Sequence, residues 1–143
     1  MATIGSVETA VYDILSGDAT FTGLLPGGVF DEKEINRQLT PRAFDANREL
    51  QSCALVKTET INPTGPYTHS QFMTLLVIVY QGTDGASIGE ALERVYALLH
   101  NNNSITGVWD MVFADEIRTP YDDALRAYFG THRYAITMNR KPS

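Results

Sequence analysis

Cysteine is nearly absent. The one residue, Cys53, leaves no internal disulfide possible. It sits in the apolar run Cys53-Ala54-Leu55-Val56, which predicts a small buried hydrophobe and not a reactive thiol. Long apolar runs are missing too. The longest, Leu75 to Tyr80, falls far short of the roughly 20 residues that span a bilayer. Met1 to Leu15 contains no Lys or Arg, so the basic start of a secretory signal is not there. The expectation is a chain assembled in a cytoplasm, with no membrane contact. The sequon Asn102-Asn103-Ser104 then has no meaning, because glycosylation needs the secretory route. Positive charge is scarce: 11 Lys and Arg stand against 17 Asp and Glu, for a formal charge of -6. That balance argues against a protein that grips nucleic acid by neutralising phosphates. The three histidines, His69, His100 and His132, are scattered, without ligand spacing. No Walker loop and no dinucleotide fingerprint occurs. Neither a metal nor a cofactor is expected.

What remains is the composition of a folded domain. The chain has 143 residues, 43% hydrophobic and 20% charged, which predicts one domain over residues 1–143. Its charge is uneven. Asp84 to Asp123 holds eight acids against Arg94 and Arg118, whereas Ala124 onward holds Arg126, Arg133, Arg140 and Lys141 and no acid. Either both stretches are solvated surface, or one copy's acidic patch meets another copy's basic end.

Periodicity supplies the elements. Val7, Ala10, Val11, Ile14 and Leu15 make one helical stripe. Asp18 is a candidate N-cap for a short second helix with Phe21, Leu24 and Leu25 inside, stopped by Pro26-Gly27-Gly28. A short strand begins at Val29-Phe30, before the polar stretch Asp31 to Gln38. Thr40-Pro41 predicts a helix start, with a helical turn running toward Gln51. Ser52 to Thr60 alternates as a strand, and Asn62-Pro63-Thr64-Gly65-Pro66 reads as a loop. Gln71 to Tyr80 is apolar on both faces, the mark of a central strand covered on both sides. One cover is expected to be a helix and the other a neighbouring subunit. Ile88, Ala91, Leu92, Val95, Tyr96 and Leu99 form the strongest helix, with Ser87 and Glu90 as a capping box. Val108 to Ala114 is a strand with Trp109, Met111 and Phe113 on one face, which places Trp109 in the core or at a subunit contact. Thr119 to Gly130 is expected as a loop. Thr131 to Asn139 is the last strand, with His132, Tyr134, Ile136 and Met138 on one face. The fold class is α+β: a mostly antiparallel sheet with one main helix packed on it plus an N-terminal helical pair.

One motif carries possible chemistry. Gly85-Ala86-Ser87-Ile88-Gly89 fits the nucleophile elbow of serine hydrolases, and Asp122 and His132 follow in triad order. Yet Gln81 to Ala86 separates Ser87 from the preceding strand, the chain is too short for the parallel units such a sheet needs, and the capping box already explains Ser87. No catalytic residue is expected. Asp115-Glu116 and Asp122-Asp123 read as solvated pairs. Tyr121, Tyr128 and Phe129 need cover, because exposed aromatic patches tend to be contact sites.

The order of pieces resembles a known family. They are the helix pair Val11-Tyr12-Asp13-Ile14-Leu15-Ser16-Gly17-Asp18-Ala19, the strand Gly28-Val29-Phe30 and the strand Ala54-Leu55-Val56-Lys57. The long strand ending at Tyr80-Gln81-Gly82, the helix from Glu90 to His100, and a final hairpin with Phe113-Ala114-Asp115-Glu116 and Arg133-Tyr134-Ala135-Ile136 complete them. This layout is similar to the tail-terminator, or tail-completion and head–tail joining, proteins of long-tailed bacteriophages. The resemblance implies a non-enzymatic virion protein of the tail and neck. It implies a homo-hexameric ring that caps the tail-tube protein, stops tube polymerisation and meets the head-side connector. DNA would pass through the lumen without specific binding, and an acidic lumen lets phosphates slide.

Asp31 to Gln51 is longer than that family's layout, which keeps a head-completion or neck connector protein as an alternative. A small serine hydrolase using Ser87 and a host adaptor or immunity-type binding domain are the readings from other classes. Subunit contacts are expected at Trp109, Tyr121, Asp122, Asp123, Arg126 and Tyr128, with charge reversal at the two aspartates weakening assembly but leaving the fold intact. Ile61 to Ser70 and Lys141 to Ser143 are expected to order only against a partner.

Overall fold

Apolar residues three and four apart wind the N-terminus into α1 (Ile4–Ser16) in the computed structural model, which describes residues 4–64, 67–81, 88–102, 104–117 and 120–139. Val7, Val11 and Leu15 are fully buried along one stripe. α2 (Ala19–Gly23) starts where expected, because the Asp18 carboxylate accepts the Phe21 N–H at 2.8 Å. Gly28, at φ 92°, then turns the chain into β1 (Gly28–Phe30). β2 (Cys53–Thr64), β3 (Tyr67–Gln81), α3 (Ile88–Leu99), β4 (Val108–Ile117), β5 (Tyr121–Asp122) and β6 (Ala127–Asn139) follow. The six-stranded sheet has the order β1-β2-β3-β6-β4, with β5 beside β6. β1 and β2 run parallel, and all other pairs are antiparallel. This is the expected α+β class, with α1 and α3 on one face.

β3 lies in the middle, as its two apolar faces require. Leu75, Val77 and Val79 are buried against the helices with Val56, Tyr134 and Ile136. Each such side chain contributes roughly 1.5–3 kcal/mol of burial. α3 contributes Ile88, Ala91, Leu92, Val95 and Leu99. Its approach to β6 is close. A Cβ on Gly130 would stand 2.6 Å from Ile88 Cγ2 and 2.9 Å from Leu92 Cδ1. Tyr96 departs from the expected inner stripe. It is 39% exposed and stacks on His100 with centroids 4.6 Å apart.

The other face of β3 is covered by residues 31–51 at one end and open at the other. Ile35, Ala43 and Leu50 pack on Phe30, Leu55 and Tyr80 as a second core. Beyond them Phe72 is 49% exposed. A chain-supplied cover thus replaces part of what a neighbouring subunit was expected to supply.

Several expectations are corrected. The helix from Thr40 shrinks to a 3-10 turn, Pro41–Ala43. The Thr40 hydroxyl does not cap it. It donates to the Asn36 carbonyl at 2.9 Å and accepts the Asn36 N–H at 3.1 Å. Phe44 then bridges Leu50 across a tight turn. The loop at 61–70 is mostly strand: Ile61 pairs with Met73, Asn62 with Phe72, and Ser70 with Asn139. Pro63 is tolerated because the register shifts immediately after it. The loop at 119–130 is a hairpin, with Tyr121 opposite Tyr128 and Asp122 opposite Ala127. Ser87, with its capping box, and Lys141 to Ser143 lie outside the described residues.

Candidate functional site

Two places stand out, at opposite ends of β6. At its start, the β5–β6 hairpin faces the turn between Phe44 and Leu50 across an open cavity of about 940 Å³. Pro26, Leu50 and Leu125 supply apolar lining, and Arg37, Arg48 and Arg126 supply charge. The turn is built by Asp45, whose Oδ1 accepts the N–H groups of Asn47 at 2.8 Å and Glu49 at 3.0 Å. Arg37 is fixed across it, donating Nε and Nη2 to the Arg48 carbonyl at 3.2 and 2.8 Å. Its guanidinium also lies 4.7 Å over the Phe44 ring. The hairpin is closed by Asp122, whose Oδ1 accepts the Leu125 N–H at 3.0 Å.

Both turns end on an arginine in the left-handed region: φ is 63° at Arg48 and 54° at Arg126. A residue with a Cβ pays about 1–2 kcal/mol there, which Gly avoids. The two guanidinium groups make no ion pair or side-chain hydrogen bond among the described residues. Other arginines are engaged. Arg94 binds Asp18 in a fork of 2.9 and 2.7 Å, and this bond holds the Asp18 carboxyl down at about 2. Arg133 reaches Glu59 at 3.3 Å and Asp115 at 3.4 Å.

At the far end stands Trp109. It occupies a bulge, where the β4–β6 register jumps from Val108 to Asp110, and it is 56% exposed. The bulge lets Val108 and Met111 share the buried face although they are three apart, so Trp109 is expelled from the core. Its core reading is thereby corrected. Asp110 beside it is exposed and opposes Thr137, whose other neighbour is Phe72.

The expected contact residues therefore separate. Tyr121, Asp122, Asp123, Arg126 and Tyr128 gather on the hairpin, where Tyr121 and Tyr128 meet edge to face with centroids 4.9 Å apart. Trp109 is anchored near Met138, ten residues from Tyr128 on β6, or about 30 Å at strand rise. Asp122 holds its own turn, so reversing its charge disturbs the hairpin itself. Asp123 is exposed. Arg48 was missed because residues 41–51 read as helical, and Arg37 because Asp31 to Gln38 read only as a polar stretch. The Asp45-Ala46-Asn47 turn composition is the signal that finds them.

The hydrolase constellation does not assemble. Asp122 pairs with Ala127, five residues from His132 on β6, which separates them by roughly 17 Å. His132 is 2% exposed and engaged at both nitrogens: Nε2 lies 2.6 Å from Glu116 Oε1 and Nδ1 lies 3.0 Å from the Tyr134 hydroxyl. Burial pushes the Tyr134 phenol above its usual range, so it stays protonated. Burial likewise pushes the Cys53 thiol up to about 12, which makes it an inert core residue. No group of three metal-ligating side chains occurs among the described residues, and no helix among them is long and apolar enough to cross a membrane.

No protein-family description matches the chain, and no curated protein does. Among solved structures, it is similar to a chain of the virion of a native gene transfer agent particle. The TM-score is 0.75 at 14% identity, over 96% of this chain and 98% of that one. At that identity the likeness establishes the shared fold.

Proposed function

We propose that this chain is a structural virion protein of the tail-terminator kind. Copies form a ring on the last ring of tail-tube protein, stop further tube growth and join the tail to the head-side connector. The observation that carries the reading is the fold likeness to a chain of a gene transfer agent virion, which spans 96% of this chain and 98% of that one. Four exposed aromatics on one small domain support it: Trp109, Phe72, Tyr121 and Tyr96. So does the acid surplus, which lets DNA slide through a lumen. The separation of Asp122 from the buried His132 argues against a hydrolase. Negative-stain electron microscopy of the purified protein, with and without tail-tube protein, tests the proposal. Rings that cap tube ends are expected. Monomers at every concentration that ignore the tube sink it. Rings that bind the connector but not the tube identify a head-completion or neck protein instead.

A further inference from the structure

We infer that the arginine-lined cavity of one copy receives Trp109 and Asp110 of the next copy. The inference rests on the ring reading and names the contact that links neighbours in it. A head-to-tail interface needs two different, complementary patches on each chain. The cavity and Trp109 are two such patches, about 30 Å apart along β6, too far for one copy to satisfy itself.

Shape and chemistry match. The cavity, about 940 Å³, is concave, and Trp109 is a projection, 56% exposed on a bulge of the outermost strand. An indole suits the apolar lining of Pro26, Leu50 and Leu125, and its face suits a guanidinium. The carboxylate of Asp110 gives Arg48 and Arg126 the partner they lack among the described residues. Both arginines occupy left-handed positions where glycine costs less, so their side chains are retained against the local backbone preference. The pairing also joins the acidic part of the chain to its arginine-bearing end. A phosphate backbone is a poorer occupant, because the apolar lining of Pro26, Leu50 and Leu125 offers it nothing and the chain carries -6.

Complementary variants test this. One carries Trp109→Ala and Asp110→Ala, the other Arg48→Glu and Arg126→Glu. All four sites are exposed, so each variant is expected to melt as a folded monomer. Sedimentation velocity should show rings for the wild type and self-association at least about 30-fold weaker for each variant, the loss of a central anchor. Mixed one to one, the variants keep one intact cavity and one intact projection, and should form a heterodimer that cannot grow. Rings from either variant, or a mixture that stays monomeric, overturn the inference and leave the ring reading standing. A wild type that never forms rings removes the ring reading and the inference with it. Binding of a labelled duplex oligonucleotide that disappears with Arg48→Glu and Arg126→Glu reassigns the cavity to DNA and overturns it as well.

Discussion

Replacing Arg126 by glycine should stabilise the isolated protein while weakening its assembly. Arg126 stands at φ 54°, where the Cβ of an L-residue costs about 1–2 kcal/mol. Glycine removes that cost but adds about 0.5–1 kcal/mol of backbone entropy on folding. The difference leaves a gain of roughly 0.5–1 kcal/mol. Nothing offsets it, since the guanidinium makes no ion pair among the described residues and the side chain is exposed. For a chain of 143 residues that gain raises Tm by roughly 2–3 °C. Differential scanning calorimetry at concentrations where the protein is monomeric reads it directly. Arg126→Ala is the control: it keeps the strained backbone, loses the guanidinium, and should melt within about 0.5 kcal/mol of the wild type. A fall in Tm for the glycine variant refutes the reasoning. It means that the arginine is held by contacts inside one copy and is not kept in reserve for a neighbour.

Asp18→Asn tests the tie between α2 and α3. The Arg94 hydrogen bonds lower the Asp18 carboxyl from 3.8 to about 2, so its stabilisation is present above about pH 4 and is lost as pH falls toward 2. Asparagine still caps α2, so the urea-derived stabilities of the two proteins should differ by under about 1 kcal/mol at pH 7, a gap that mostly closes by pH 2. A gap that persists at pH 2 means that the charge is not its source. Gly130→Ala should destabilise by about 1–3 kcal/mol, because its Cβ falls 2.6 Å from Ile88 and 2.9 Å from Leu92. Combining it with Ile88→Ala, which opens the space, should cost less than the sum of the two changes in urea denaturation. Strict additivity contradicts the close approach.

The elements with regular periodicity were legible. Val7, Val11 and Leu15 on α1, and Ile88, Leu92, Val95 and Leu99 on α3, are buried as their spacing predicts. His132, Tyr134, Ile136 and Met138 on β6 share the buried face for the same reason. The misses have local causes. β4 bulges after Val108 and again after Phe113, and each bulge reverses the alternation that a regular strand would show. Trp109 therefore lands outside, and Glu116 lands opposite His132. The β5–β6 turn escaped notice because its left-handed position holds Arg126, where glycine or asparagine is the usual signal. The same holds at Arg48. The cover formed by residues 31–51 has no period at all, only Ile35, Ala43 and Leu50 set among polar turns. Each candidate contact was thus hidden by the feature that creates it: a bulge that expels a tryptophan, and turns that carry arginine against their backbone preference.

The edge of the sheet decides what kind of contact can join two copies. β4 is outermost, and a flat apolar edge there would pair with another edge and grow without limit. Its two bulges interrupt the row of backbone groups, and Asp110 and Asp115 place charge along it. The Glu59–Arg133–Asp115 bridges tie that charge to the open face. Strand addition is therefore a poor route to the ring proposed above. Side chains projecting from the bulge remain, and a projection fitting a cavity fixes both distance and angle between neighbours. A fixed angle closes a ring at one copy number, whereas a sliding strand edge fixes none. In the proposed ring, deleting Trp109 removes the anchor and straightens β4 together, so it should give open aggregates, seen as broad, fast-sedimenting material, where Trp109→Ala, which keeps the bulge, gives monomers. Monomers from both variants, with no aggregation after the deletion, contradict the role given to the bulge.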